Sequence, residues 1–390
     1  MKYLKYKFHN VIIEAATFSA NNVNEVYLSV KGANSEPFEK ALNDSLSAID
    51  RFMSENKIHE HSLVSLRFFL SDYSNQIGHL NAVKDRLKIS YNNCSLSVVQ
   101  QPPLNDNKLS IIAYIIDDKE AVVRKGSKND NELVVDRQHY KHIWVTQLTS
   151  SDSSEDPYSQ TTDVFRSFKS VLDRKGLSVK DNCIRTWIYV KDVDVNYKEV
   201  VDARKDFFTE HGMTRETHYI ASTGIEGRHA DPDTLVLMDT YSIDGVKPGQ
   251  VKFLHALEYL NPTYEYGVTF ERGTVVEYGD RKHVFISGTA SIDNKGEVVF
   301  PGDVLKQTDR ALENVSALLN VAGSDMGDVA HMIIFLRDIS DVKMVTEHIN
   351  EEYSHIPKII VLAPVCRPEW LVEIECFAII KNNNSTFFNF

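Results

Sequence analysis

Helical and strand periods alternate along this chain in an order that occurs three times. In the clearest copy, Ala311, Leu312, Val315, Leu318, Leu319 and Ala322 recur at helical spacing, which predicts a helix over 304–322 with Asp303 as N-cap and Gly323 as its stop. A strand follows, His331 to Arg337, ending at Asp338. A second helix runs through Val342, Val345, Ile349 and Tyr353 to the turn before Pro357, and a last strand spans about Leu371 to Ile380. The middle copy repeats this with Phe165, Phe168, Val171 and Leu172, the strand Arg185 to Asp192, a helix near Tyr197 to Phe208, and the strand Thr234 to Asp239. The first copy, more worn, has Phe38, Leu42, Leu46, Ile49 and Phe52, then Ser65 to Asp72, a helix near Leu80 to Ile89, and Leu109 to Tyr114.

An Asp between the strand and the second helix recurs as Asp72, Asp192 and Asp338, which argues for genuine repetition rather than ordinary α+β alternation. A hairpin is expected before each copy; in the third, Val284 to Gly288 leads through Asp293-Asn294-Lys295-Gly296 into Val298. The polar stretch Asp117 to Gln138 and the segment Asp244 to Gln250 are the expected linkers, so the chain divides into units 1–120, 121–248 and 249–390. Three such α+β units can pack about a pseudo-threefold axis, leaving clefts between neighbours where pockets form.

Composition narrows the partners. At 390 residues the chain is too long for one core, and a formal charge of -12 disfavours nucleic acid. Cys94, Cys183, Cys366 and Cys376 lack metal-ligand spacing and read as reduced thiols. Among fourteen histidines His59 and His61 form the one close pair, at an exposed turn, so no metal site is expected. The start MKYLKYKFHNVII lacks the apolar core of a signal peptide, and no run of about 18 apolar residues occurs. A cytoplasmic protein without membrane partners is expected.

Chemistry concentrates in Val365-Cys366-Arg367-Pro368-Glu369-Trp370-Leu371-Val372-Glu373-Ile374-Glu375. Alternation along the strand places Glu373 and Glu375 roughly 7 Å apart on one face. A carboxylate buried in apolar surroundings costs several kcal/mol or keeps its proton, so it calls for a reason, and proton transfer is one. The matching strand of the second unit carries Asp239 where this one has Glu375, which favours a scaffold ion pair for Glu375; neither sister strand has an acid matching Glu373. The spacing also fits an inverting glycosidase pair, but nothing else in the chain supports sugar hydrolysis. Arg272 and Arg367 are candidates to hold carboxylates by bidentate hydrogen bonds. Arg228 and His229 lie on a loop that either caps a pocket or is plain surface.

The third unit resembles the RidA/YjgF family through Phe285-Ile286-Ser287-Gly288-Thr289-Ala290-Ser291-Ile292, Gly302-Asp303-Val304, Ala311-Leu312-Glu313-Asn314-Val315 and Glu373-Ile374-Glu375. The resemblance implies a chorismate-mutase-like unit, a mixed sheet with helices on one face, and a family trimer with pockets between subunits. Three units in one chain would then form an intramolecular pseudo-trimer, a monomer being favoured and a higher oligomer possible. Imine-deaminating members carry an arginine shortly after the second helix, where this chain has Pro357-Lys358-Ile359, and a tyrosine where Phe270 falls.

From Cys183 onward the chain also resembles the chorismatases, in Arg185-Thr186-Trp187-Ile188-Tyr189-Val190, the expected loop Ser222-Thr223-Gly224-Ile225-Glu226-Gly227, the strand Ile286-Ser287-Gly288-Thr289-Ala290 and Cys366-Arg367-Pro368-Glu369-Trp370-Leu371-Val372-Glu373. The resemblance implies Glu373 as the acid that protonates the enolpyruvyl methylene of chorismate so that pyruvate leaves. It also implies the Gly288 and Cys366 pair of the branch that forms 3-hydroxybenzoate, with Arg272 and Tyr266 holding substrate oxygens and Thr289, Arg367 and Glu375 nearby. The chain keeps Tyr266, Gly267 and Arg272 of the family's lead-in segment but not its prolines. The expected function is a cofactor-independent, chorismatase-like lyase acting on a small carboxylic acid. The alternatives are a RidA-like carboxylate binder without turnover and, third, an imine deaminase.

Overall fold

The computed structural model describes residues 1–90, 94–118, 123–126, 132–152 and 156–390, with side chains for all of these except residues 85, 86, 88–90, 123–126 and 266. The first sheet contains β1 (Lys2–Phe8), β2 (Val11–Ala20), β3 (Val23–Gly32), β4 (Leu63–Leu70), β5 (Ser95–Gln100) and β6 (Leu109–Asp118), in the order β1-β2-β3-β6-β4-β5. The second contains β7 (Val123–Gly126), β8 (Glu132–Arg137), β9 (Tyr140–Leu148), β10 (Cys183–Val190), β11 (Ala221–Glu226) and β12 (Val236–Asp244). The third contains β13 (Val251–Phe253), β14 (Gly273–Glu277), β15 (Arg281–Ala290), β16 (Val329–Leu336), β17 (Lys358–Leu362) and β18 (Val372–Lys381). Both later sheets repeat the strand order of the first. The chain is therefore three tandem α+β units.

Each sheet has one parallel pair, β4 with β5, β10 with β11 and β16 with β17. Parallel neighbours need a crossover, supplied by α2 (Tyr73–Ser90), α5 (Val193–Glu210) and α7 (Val342–Tyr353), while α1 (Phe38–Glu55), α3 (Pro157–Asp173), the short α4 (Val179–Asn182) and α6 (Val304–Ala322) precede the parallel strands. The recurrent Asp sits where each crossover helix is entered. Asp72 accepts from Asn75 N at 3.3 Å, Asp338 accepts from Ser340 N at 2.8 Å, and Asp192 takes a left-handed φ of 51°. At α6 the Asp303 side chain accepts from Lys306 N at 3.1 Å, and Gly323 ends the helix at φ 77°, a backbone conformation costly for residues with a Cβ.

One face of each sheet is covered by its helices, as Leu42, Leu46, Ile49 and Phe52 do on α1 and Val164, Phe165, Phe168 and Leu172 on α3. The opposite faces meet one another through aromatic side chains: Tyr27 with Phe377 at 5.0 Å between centroids, Tyr114 with Trp144 at 6.3 Å, and Tyr241 with Phe285 at 5.6 Å. Among the described residues no helix is long and apolar enough to cross a membrane.

Three expectations change. The polar stretch 117–138 is not all linker, because Glu132–Arg137 pairs antiparallel with β9; residues 119–122 and 127–131 lie outside the described residues. Ser222 to Gly227, read as a loop, is mostly β11, whose parallel pairing with β10 supplies hydrogen bonds that its Ser-Thr-Gly composition does not advertise. The hairpin into Val298 reduces to one bridge with Ile292; the strand 281–290 instead turns back on β14, with which it shares five paired positions.

Candidate active site

The cleft between the second and third sheets is a cavity of about 280 Å³. Six segments line it, β11 among them with Ser222 and Gly224. β18 brings Glu373 and β15 brings Gly288, the 363–371 connection brings Cys366 and Arg367, the segment before β14 brings Phe270 and Arg272, and α5 brings Tyr197 and Arg204. The last two are seven residues apart, two turns of helix, and so share a face.

The register of β15 on β18 shifts between Ile286 and Thr289, a bulge that lays Gly288 beside Glu373. A Cβ on Gly288 would overlap the Glu373 carboxylate and approach Thr223 Cγ2 to 3.1 Å, so glycine is needed here for space. Its N–H donates to Thr223 Oγ1 on β11 at 2.9 Å, which ties the two sheets together at the site. Gly224 is likewise open because a Cβ would lie 3.0 Å from Tyr197 Cε2.

Glu373 is 5% exposed. Burial, and next the negative charge of Glu375, push its carboxyl up to about 8 against the opposing pull of Arg185 and Arg272. It therefore holds a proton at neutral pH. Burial, then the charge of Glu373, push the Cys366 thiol up to about 12, so it is a thiol and not a nucleophilic thiolate. Cys366 hydrogen-bonds Tyr197, whose hydroxyl is raised well above its ordinary range by burial and then by Cys366.

Cations surround the acid at a distance. Arg272 donates from Nη2 to Asn261 O at 3.1 Å and lies 5.6 Å from the centre of the Phe270 ring. Arg204, 2% exposed, lies 6.0 Å from the same ring and donates from Nε to Thr269 Oγ1 at 3.3 Å. Its buried Nη2 has no hydrogen-bond partner among the described residues. A buried guanidinium with an unused donor is poised for an acceptor brought by a ligand. Arg367 stacks over Trp370 at 4.7 Å and reaches Gly296 O at 3.5 Å.

Not every expected residue converges. Thr289 does not line the cavity; its hydroxyl is spent on Ser287 O at 2.8 Å. Glu375 lines a separate interior cavity of about 90 Å³, where it accepts from Arg185 Nη2 at 2.8 Å, Trp187 Nε1 at 3.0 Å and Thr223 Oγ1 at 2.5 Å, with Arg67 Nη1 3.9 Å away. Its ion pair with Arg185 spans the second and third sheets. The Tyr266 side chain lies outside the described residues. Arg228 and His229 do not cap this cavity: Arg228 pairs with Asp192 of its own unit at 2.7 Å, while its carbonyl accepts from Gln100 N of the first sheet at 2.9 Å and His229 meets Tyr73 of the first unit. Arg204 and Tyr197 escaped the sequence reading, although Val200, Arg204 and Phe207 at helical spacing mark a cation on a buried stripe.

Comparison with known proteins agrees with this architecture. The family described as endoribonuclease L-PSP matches residues 274–380. A RutC family protein of Pyrococcus abyssi is 30% identical over 97 residues, 24% of this chain and 76% of that protein. The 3-aminoacrylate deaminase RutC of Acinetobacter baylyi is 31% identical over 97 residues, 24% of this chain and 77% of the deaminase. Over most of the length, the fold is similar to a crystal structure of a chorismatase, with a TM-score of 0.61 at 18% identity, covering 82% of this chain and 93% of that one. With its third unit matched in sequence and the same strand order repeated in all three sheets, the chain belongs to the RidA family.

Proposed function

We propose that the cleft between the second and third sheets is a chorismatase-like lyase site, releasing pyruvate from chorismate or a related enolpyruvyl carboxylic acid to give a hydroxybenzoate. The observation that carries this is Glu373, a buried carboxyl with its pKa near 8 facing a cavity lined by Arg204, Arg272 and Arg367. The guanidiniums hold the substrate's carboxylates, and the protonated Glu373 delivers its proton to the enol ether methylene. That carbon becomes a methyl group and the positive charge moves to the adjacent oxocarbenium carbon. The ether bond to the ring carbon then breaks, its electron pair neutralising the oxocarbenium so that pyruvate leaves as the ketone, and loss of a ring proton to the Glu373 carboxylate aromatises the ring to the hydroxybenzoate. Cys366 acts as a neutral wall beside the intermediate, and Gly288 leaves the carboxyl room to reach the substrate.

The similarity to a chorismatase fold supports this reading at the level of architecture. Imine deamination fits less well, since Phe270 brings no hydroxyl and Lys358 lies in a different cleft. Incubation of the purified protein with chorismate, followed by coupled detection of pyruvate, tests the proposal. Release that disappears in Glu373→Gln is expected. A ligand-induced thermal shift without pyruvate from either protein would replace the lyase with a carboxylate-binding protein.

A further inference from the structure

The cleft between the third and first sheets is the register counterpart of the one that holds Glu373. Lys31 faces Ser110 across β3 and β6 as Ala290 faces Glu373 across β15 and β18. Lys358 pairs with Met332 on its parallel neighbour as Ser222 pairs with Thr186 on its own. This second cleft is a cavity of about 290 Å³, nearly the size of the first. Its chemistry differs. Lys5 on β1, Lys31 on β3 and Lys358 on β17 surround one carboxylate, Glu14 on β2, with Lys5 Nζ at 3.3 Å and Lys31 Nζ at 2.8 Å from it. Lys358 is buried at the sheet boundary and donates to Tyr353 O at 2.7 Å and Ile356 O at 3.1 Å. Three ammonium groups against one carboxylate leave an excess of positive charge in a partly desolvated cleft, where a small anion gains most from Coulomb attraction.

We propose that this cleft is a second ligand site, which holds a small oxyanion, a short carboxylate or a phosphate, on Lys31, Lys5 and Lys358 and does not transform it. Ser110 stands at the register position of Glu373, so the cleft has no proton donor there. Glu14 cannot substitute: burial raises it, but Lys31, Lys358 and Lys5 outweigh burial and hold it below the ordinary carboxylate range, ionised at neutral pH. Burial depresses Lys358 to about 8, with Glu14 pulling it up against the smaller pushes of Lys31 and Lys5. The proposal stands independently of the lyase reading, since it draws on different residues and another pair of sheets.

Calorimetric titration of the full chain at pH 7 with sodium pyruvate, and separately with inorganic phosphate, tests it. Saturable binding of at least one anion is expected, persisting in Arg272→Gln and weakened roughly tenfold in Lys31→Gln, the loss of about one charge-assisted hydrogen bond. Glu14→Gln should tighten binding, because it removes the built-in competitor; this opposite sign guards against a variant that merely unfolds. The anion that binds more tightly identifies the ligand class. Absence of binding by both anions, or binding abolished by Arg272→Gln and indifferent to Lys31→Gln and Glu14→Gln, overturns the proposal.

Discussion

The clefts on either side of the third sheet have the same construction and almost the same volume, yet one surrounds a protonated acid and the other a cluster of lysines. At a single register position the first has Glu373 and the second Ser110. The neighbours then diverge to match. Around Glu373 stand a thiol, a phenol and a second carboxylate, with Arg272 turned to Asn261 and Phe270, so burial is not offset and the proton stays. Around Glu14, Lys5 and Lys31 lie within 3.3 Å and the proton leaves. The backbone supplies the cleft, and the charge nearest the carboxylate decides whether the cleft can act as an acid.

Replacement of Glu373 by Gln should have the largest effect, lowering pyruvate release by about 10²–10⁴-fold in a coupled assay while preserving shape. The same variant should be more heat-stable at pH 8. A carboxyl whose folded pKa lies near 8 binds its proton more tightly folded than unfolded, so its contribution to stability falls as pH rises from the unfolded value near 4.5 through about 8. Turnover should accordingly decline above about pH 8, where the acid loses its proton, and Glu373→Gln should show no residual activity titrating there. Next in size, Gly288→Ala should cut kcat by roughly tenfold to a hundredfold, since even a displacement of about 1 Å at a reacting group costs rate on this scale. The new methyl would meet the flexible carboxyl rather than backbone, so the melting temperature should change little. Loss of the unpartnered donor in Arg204→Gln should lower kcat/KM about tenfold to a hundredfold, expressed mainly in KM. The smallest effect is expected from Ser110→Glu: a carboxyl placed opposite Lys31 should pair with it and ionise, leaving pyruvate release at the wild-type rate. New activity from that variant would break the comparison, because it would show that register position alone creates the acid.

The repeated units were legible because their markers are local. Apolar spacing specified α1, α3 and α6, and the Asp entering each crossover helix recurred with its neighbours. The parallel edge strands β5 and β11 were harder to see. Their pairing partners lie about thirty residues away along the chain, and Ser95, Ser97, Ser222, Thr223 and Gly224 do not form an apolar alternation. Within the candidate site, Glu373 stood out as an acid without a counterpart in its sister strands. Arg204 did not, because a cation in an amphipathic helix reads as surface until Thr269 and Phe270 of the third unit close over it.

From its sequence alone this chain is three α+β units with one misplaced carboxylate, since periodicity, capping and repeat comparison depend on neighbours in the chain. Tertiary structure decided which of two glutamates, two residues apart, enters an ion pair and which faces the ligand cavity with its pKa raised. Glu375 meets Arg185, Trp187 and Thr223 from the second unit, while Glu373 meets the gap left by Gly288. A pKa is set by charges and dielectric within a few ångströms in space, and here most of those groups come from strands and helices far away in sequence.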